Sequence, residues 1–335
     1  MLLGKLAIKL STLVVVLGLD SSDVGELSRV VYSVPESFVK IQGYIDTVQR
    51  NKDKDLDPIL VYPLSQPRRD HNISETSIIY YLEHSLLSFC SQGHIDAGLC
   101  FCSNKFENAS VAQDLNLESR ATVAVDSLNQ LIVVSYRLSV APNNWSTNEE
   151  KDLVSYPFPD GEEKVHHGHL NYFRSIQKQT EKKAFEYLSD PRHKDYTLHV
   201  TGYSLGGSVT FISVPAWLDF LDRNEFKNKA RFFAYSNPRP GNLAFANYLE
   251  ALDLPLVRYA KKGDIVPHLP EQSDGFSHVG QEFYDPEMTS LVPTHLKKCS
   301  PNYVQDINCS LKDTFFISPH HLLPFNKPFP LPPMC

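Results

Sequence analysis

The sequence predicts an α/β fold, a mostly parallel central sheet flanked by helices in a single domain. Three observations lead there. From residue 131 onward, short apolar runs of strand length alternate with longer amphipathic stretches, the pattern of βαβ units. One of these strands runs through Gly202-Tyr203-Ser204-Leu205-Gly206 directly into a helix. Apolar residues make up 42% of the 335 and charged residues 21%, which supports a substantial core and excludes both disorder and a membrane bundle.

The elements follow in order. Asn72 to Phe89 reads as a helix, with Ile73, Ile78, Ile79, Leu82, Leu86 and Phe89 on one face. The rest of 24–130 shows no clear period. Leu131 to Tyr136 is a strand, and residues 166–189 form a helix that stops before Asp190-Pro191. Tyr196 to Val200 is the next strand. Ser204 to Leu221 follows as a helix, which Pro215 should kink because proline removes an N–H and crowds the preceding turn. Ala230 to Tyr235, Asn242 to Leu252 and Leu254 to Tyr259 read as strand, helix, strand. Leu323 to Cys335 carries five prolines and reads as extended.

The N-terminus has the order of a secretory signal, residues 1–20, leaving residues 21–335 as the domain. Lys5 and Lys9 precede the apolar run Leu10 to Leu19, and polar residues begin at Asp20. A buried N-terminal helix is the alternative. The run is too short to span a bilayer comfortably, and no integral span is expected after signal removal. The expected location is therefore the secretory pathway or outside the cell. Asn-x-Ser sequons at Asn72, Asn108, Asn144 and Asn308 agree with export. So do six cysteines, Cys90, Cys100, Cys102, Cys299, Cys309 and Cys335, an even set that suggests disulfides. Cys299 and Cys309 should staple one loop, with Cys335 joining the Cys90/Cys100/Cys102 group. A zinc site is the alternative for that group, although no histidine sits at finger spacing. Net charge is −7 with no basic stripe, so nucleic acid is not an expected partner.

Ser204 is the candidate nucleophile. A strand–turn–helix through Gly-x-Ser-x-Gly strains the serine and projects its hydroxyl above the sheet. The glycines remove side chains where strand and helix crowd each other. The helix N-terminus offers the Leu205 N–H to a developing oxyanion. A serine hydroxyl is a weak nucleophile and needs a histidine base oriented by a carboxylate. In α/β-hydrolases these follow in the order Ser, acid, His. Asp264, just past the strand ending at Tyr259, fits the acid. His268, His278, His295, His320 and His321 all remain open as the base.

Residues 131–325 resemble the fungal triacylglycerol lipase family, the class 3 lipases, in several ordered blocks. These are Tyr136-Arg137-Leu138-Ser139 with Asn144-Trp145, and Val165-His166-His167-Gly168. They continue with Thr201 to Gly207, Asn237-Pro238-Arg239-Pro240-Gly241-Asn242, Asp264-Ile265-Val266-Pro267-His268, and Phe276-x-His278-x-Gly280. The resemblance implies an α/β-hydrolase fold and an esterase or lipase acting on ester or lipid substrates. It also implies transient contact with a lipid interface and no metal or organic cofactor. It selects His321, in His321-Leu322-Leu323-Pro324-Phe325, over His320. It assigns Ser139 and Leu205 to the oxyanion hole and a supporting role to His278.

Departures from the pattern are equally specific. Tyr203 stands where the family has histidine, Leu138 where it has glycine, and His169 where it has an aromatic residue. A left-handed backbone at 138 would strain a leucine. Residues 146–152 are polar where a lid should present an apolar face, so 142–163 reads either as a lid or as a solvated surface loop. Beside acylglycerol hydrolysis, three alternatives stay open: action on short-chain, feruloyl-type or phospholipid esters, a non-catalytic lipid- or surface-binding relative, and a structural or adhesive secreted glycoprotein.

Overall fold

The computed structural model describes residues 60–97, 106–139, 148–287, 295–313 and 321. The signal-like segment 1–20, Cys100, Cys102, Cys335, Asn144, Trp145, His320 and the proline-rich tail lie outside the described residues. Helix α1 (Glu75–Leu86) is capped by the Ser74 hydroxyl, which accepts from the Ser77 N–H at 3.2 Å. It starts later than the apolar pattern suggested because Asn72 is left-handed and Ser74 extended. A 3-10 turn, Leu87–Phe89, and the short α2 (Gln92–Asp96) follow.

Strands β1 (Asn108–Asp114), β2 (Ser119–Asp126) and β3 (Leu131–Tyr136) form an antiparallel meander. Next come β4 (Leu153–Ser155), β5 (Lys164–His166) and the long α3 (His167–Leu188). Strand β6 (Thr197–Tyr203) precedes α4 (Leu205–Ile212) and α5 (Val214–Arg223). The single kinked helix expected over 204–221 is in fact two helices. Pro215 sits in the first turn of α5, and the break falls at Ser213, whose hydroxyl donates to the Thr210 carbonyl. The chain continues through β7 (Ala230–Tyr235), β8 (Gly241–Asn242), α6 (Leu243–Glu250) and β9 (Leu256–Lys261). It ends its regular structure with β10 (Phe276–Ser277), β11 (Gln281–Asp285) and β12 (Lys297–Lys298).

The main sheet has the order β1-β2-β3-β6-β7-β9-β11-β12, with β3, β6, β7, β9 and β11 parallel. A small second sheet runs β10-β8-β5-β4. Alternation along the central strands divides the core in two. Phe232 and Ala234 of β7 join the large cluster beneath α3, α4 and α5, whereas Phe233 and Tyr235 join the cluster beneath α1. Helices therefore cover both faces, which is why the parallel strands are buried along nearly their whole length.

The Cys299–Cys309 disulfide is present, and Cys90 is also disulfide-bonded, which removes it from zinc ligation. Asn72, Asn108 and Asn308 are all exposed. Among the described residues no helix is long and apolar enough to cross a membrane.

Candidate active site

Ser204 occupies the single residue between β6 and α4, with φ 55° and ψ −125°. Such a conformation costs a non-glycine residue about 1–3 kcal/mol and persists only when its surroundings overdetermine it. Here they do. The Ser204 N–H donates to the Tyr235 carbonyl at 2.8 Å, and the Gly207 N–H donates back to the Ser204 carbonyl at 3.0 Å. The flanking glycines are required by contact distance. A Cβ at Gly202 would lie 2.3 Å from the Gly206 carbonyl, and one at Gly206 would lie 2.1 Å from the Tyr136 oxygen. Leu205 is the first residue of α4, where an N–H has no intrahelical acceptor and points along the positive end of the helix dipole.

The chain brings His321 and Asp264 to this serine from 117 and 60 residues away. His321 Nε2 lies 2.9 Å from Ser204 Oγ, and its Nδ1 lies 3.0 and 3.1 Å from the two Asp264 oxygens. The Asp264 side chain is fully buried, and it also accepts the Val266 N–H at 2.9 Å, which fixes the carboxylate's orientation. Asp264 follows β9, so it stands at the same carboxyl edge of the sheet as Ser204. The other described histidine candidates lie elsewhere. His278 Nε2 donates to the Pro267 carbonyl at 2.7 Å, His268 is buried in the loop after Asp264, and His295 pairs with Glu75 at the surface.

Two of the sequence blocks turn out to support that loop. Buried Arg239 donates through Nη1 to the His268 and Pro270 carbonyls and through Nε to Gln305 at 3.1 Å. Burial pushes its pKa down to about 9. His278 holds the loop at Pro267, and burial together with Arg258 and Arg239 keeps the imidazole neutral. Tyr203 acts from below. Its hydroxyl donates to the His321 main-chain carbonyl at 2.7 Å, while its ring packs in the cluster that also contains Leu138.

Ser139 is buried, three residues beyond the last β3 pairing with β6, at Tyr136. The backbone leading to it is clamped by Tyr172 of α3. Its hydroxyl accepts the Arg120 N–H at 2.9 Å and shares its one proton between the Arg120 and Arg137 carbonyls, which lie 2.9 and 3.0 Å away. Leu138 is not among the left-handed residues, so the strain anticipated there does not arise. Its side chain turns down into the apolar cluster instead.

Sequence reasoning missed a polar chain around Ser139. Asn148 Nδ2 donates to Ser139 Oγ at 3.0 Å, and Asn148 Oδ1 lies 3.2 Å from His169 Nε2. His169 Nδ1 is 2.8 Å from Ser208 Oγ, and Ser208 stands one helical turn beyond Ser204. The only signal for it was the histidine at 169 in place of an aromatic residue.

Part of the 142–163 segment can be placed. Asn148 and Glu149 are helical, and Glu149, Glu150, Lys151 and Asp152 are exposed. The Glu150 and Asp152 carbonyls accept the Gly168 and His167 N–H groups at the start of α3. Leu153 and Val154 belong to β4 of the second sheet, half-buried, and present no continuous apolar face.

Comparison with known proteins agrees with this geometry. Residues 133–274 match the model of the lipase (class 3) family. The lipase of Rhizomucor miehei is 28% identical over 239 residues, covering 70% of this chain and 63% of the relative. A secreted mono- and diacylglycerol lipase of Fusarium solani is 27% identical over 219 residues, covering 61% and 62%. The chain thus spans a little less than two thirds of each relative's length. Among solved structures, a fungal lipase–inhibitor complex superposes with a TM-score of 0.64 at 26% identity, covering 76% of this chain and 96% of that one. The Rhizomucor miehei lipase–propeptide complex gives 0.66 at 23%, covering 84% and 94%, which shows the shared α/β-hydrolase fold.

Proposed function

The chain belongs to the class 3 lipase family, and we propose that it hydrolyses carboxylic esters through an acyl-enzyme on Ser204. One observation carries this reading. A serine held in a strained turn at a helix N-terminus lies 2.9 Å from an imidazole whose other nitrogen is 3.0 Å from a buried carboxylate.

In this reading the Ser204 oxygen attacks the ester carbonyl while His321 Nε2 takes its proton. Asp264 on Nδ1 keeps the imidazole in the accepting tautomer and stabilises the imidazolium. The Leu205 and Ser139 N–H groups, with the Ser139 hydroxyl, receive the oxyanion. His321 then returns the proton to the departing alcohol, and water, activated by the same imidazole, attacks the acyl-enzyme. Each oxyanion donor in such a site is worth roughly 3 kcal/mol.

Acylglycerols are the substrate class we infer, from the family and from the fungal relatives named as lipases. A second reading, esters small enough to be met in solution, is favoured by the exposed Glu149, Glu150, Lys151 and Asp152 in the lid position. Rates on emulsified long-chain triacylglycerol against soluble short-chain ester separate the two. Secretion is inferred from the signal-like N-terminus, the exposed sequons and the Cys299–Cys309 disulfide.

The test is labelling with a fluorophosphonate probe, followed by p-nitrophenyl butyrate hydrolysis. Wild type should label and turn over, and Ser204→Ala should do neither. Full activity in Ser204→Ala would refute the assignment. A folded wild type that neither labels nor turns over would mark a binding relative instead.

A further inference from the structure

We propose that His169 is a positioning residue that sets which way the Ser139 hydroxyl points, acting through the Asn148 side chain. The inference rests on the esterase reading above and adds a residue to it. The observation is the unbroken chain Ser208–His169–Asn148–Ser139, with contacts of 2.8, 3.2 and 3.0 Å.

The direction of these bonds decides what Ser139 can do. A hydroxyl has one proton. If that proton is given to a neighbour, none is left for an oxyanion. Asn148 presents its Nδ2 to Ser139, so Ser139 accepts and keeps its proton to donate. This requires the Asn148 oxygen to face a donor on the other side. His169 Nε2–H supplies it, which leaves Nδ1 to accept from the Ser208 hydroxyl. A reversed chain would turn the Asn148 oxygen toward Ser139 and consume the hydroxyl proton.

The ring is held for this task. His166 and His169 stack with centroids 3.6 Å apart and planes 4° from parallel. His166 Nδ1 accepts the His169 N–H at 3.4 Å, and the Asn148 backbone hydrogen-bonds to the same His166 ring. Burial, reinforced by the neighbouring His166, keeps the His169 imidazole neutral, the state in which one nitrogen donates and the other accepts. His169 is fully enclosed, so its hydrogen bonds do not compete with solvent. The phenyl ring at this place in the family pattern could stack on His166 but could not orient an amide.

The experiment compares His169→Phe, Asn148→Ala, Ser139→Ala and the double variant His169→Phe/Ser139→Ala in the full chain. Each is assayed for kcat and KM on p-nitrophenyl butyrate and for thermal midpoint. His169→Phe should lower kcat about tenfold with KM nearly unchanged, since oxyanion interactions strengthen in the transition state. Asn148→Ala, at a partly exposed position, should do the same with the fold intact. The double variant should be no slower than Ser139→Ala alone. That non-additivity is the signature of action through Ser139, because a merely structural defect would add to it. Unchanged kcat in both His169→Phe and Asn148→Ala, or a fully additive double variant, would overturn the proposal. Fluorophosphonate labelling of the wild type keeps the two claims apart. If wild type does not label, the esterase reading has failed; if wild type labels and the series is flat or additive, only the His169 role has.

Discussion

Among the described residues, two buried histidine–aspartate pairs stand out, and only one of them reaches a serine. His321 and Asp264 approach to 3.0 Å, and His84 and Asp126 to 2.8 Å. Both pairs are nearly inaccessible to solvent. Yet their settings differ. His321 meets its carboxylate through Nδ1 and turns Nε2 to a serine on a strained turn. His84 meets its carboxylate through Nε2, and its ring faces Phe106, His199, Tyr80 and Tyr81. Asp126 also accepts the Asn129 N–H and side-chain amide, closing the turn between β2 and β3 at the opposite sheet edge. A histidine–aspartate pair is therefore not itself a catalytic feature. What sets the first pair apart is a serine on a strained turn at a helix N-terminus.

The sharpest way to break this comparison is to remove each histidine. His321→Ala should lower kcat on the order of 10⁵-fold, because triad members act as a unit. His84→Gln should leave kcat within about twofold while lowering the thermal midpoint, since distant sites act independently. A comparable kcat loss in His84→Gln with an unchanged midpoint would erase the distinction. The carboxylates come next. Asp264→Asn should cost about 10⁴-fold in kcat through the wrong imidazole tautomer. Asp126→Asn should instead cost about 1–3 kcal/mol of stability, read from the denaturant midpoint. Tyr203→Phe is a finer probe. It keeps the packing with Leu138 but frees the His321 carbonyl, and should cost about 1 kcal/mol, roughly fivefold in kcat.

The smallest effect concerns a carboxyl beside the Asp264 loop. Asp313 accepts the Gly263 N–H at 3.2 Å, beside Asp264, and the Tyr284 hydroxyl at 2.8 Å. Burial pushes its carboxyl up to about 6, with those hydrogen bonds opposing the rise. Its folded value lies above the unfolded one. Its contribution to stability is thus full below about pH 4 and lost as pH rises through about 6. Asp313→Asn should therefore gain in thermal midpoint relative to wild type between about pH 4 and pH 7.5. A relative fall over that range would mean the charged form is the favoured one.

Legibility in the sequence followed locality. Strands β3, β6, β7 and β9 overlap the short strands read from the sequence, because both of their faces are covered and most of their residues are apolar. Strands β1 and β2 escaped notice for reasons visible in their residues. Asn108–Asp114 is a polar edge strand, and the turns at either end of β2 use Glu118 and Gln130 in left-handed conformations where glycine would have marked them. The break at Ser213 was hidden because Pro215 suits the first turn of a new helix as well as a kink in an old one.

The sequence by itself determined the elbow, since Gly202, Ser204 and Gly206 obey contacts made within a few residues and one adjoining strand. It also carried the order of serine, acid and histidine and, by family resemblance, the choice of His321. Only the tertiary structure decided which polar groups those residues meet. Tyr203 on the His321 carbonyl, Arg239 under the Asp264 loop and the chain from Ser208 through His169 and Asn148 to Ser139 join residues 9 to 118 positions apart. No period or spacing along the chain encodes such pairings. They arise because buried polar groups must find partners wherever packing brings a donor and an acceptor together.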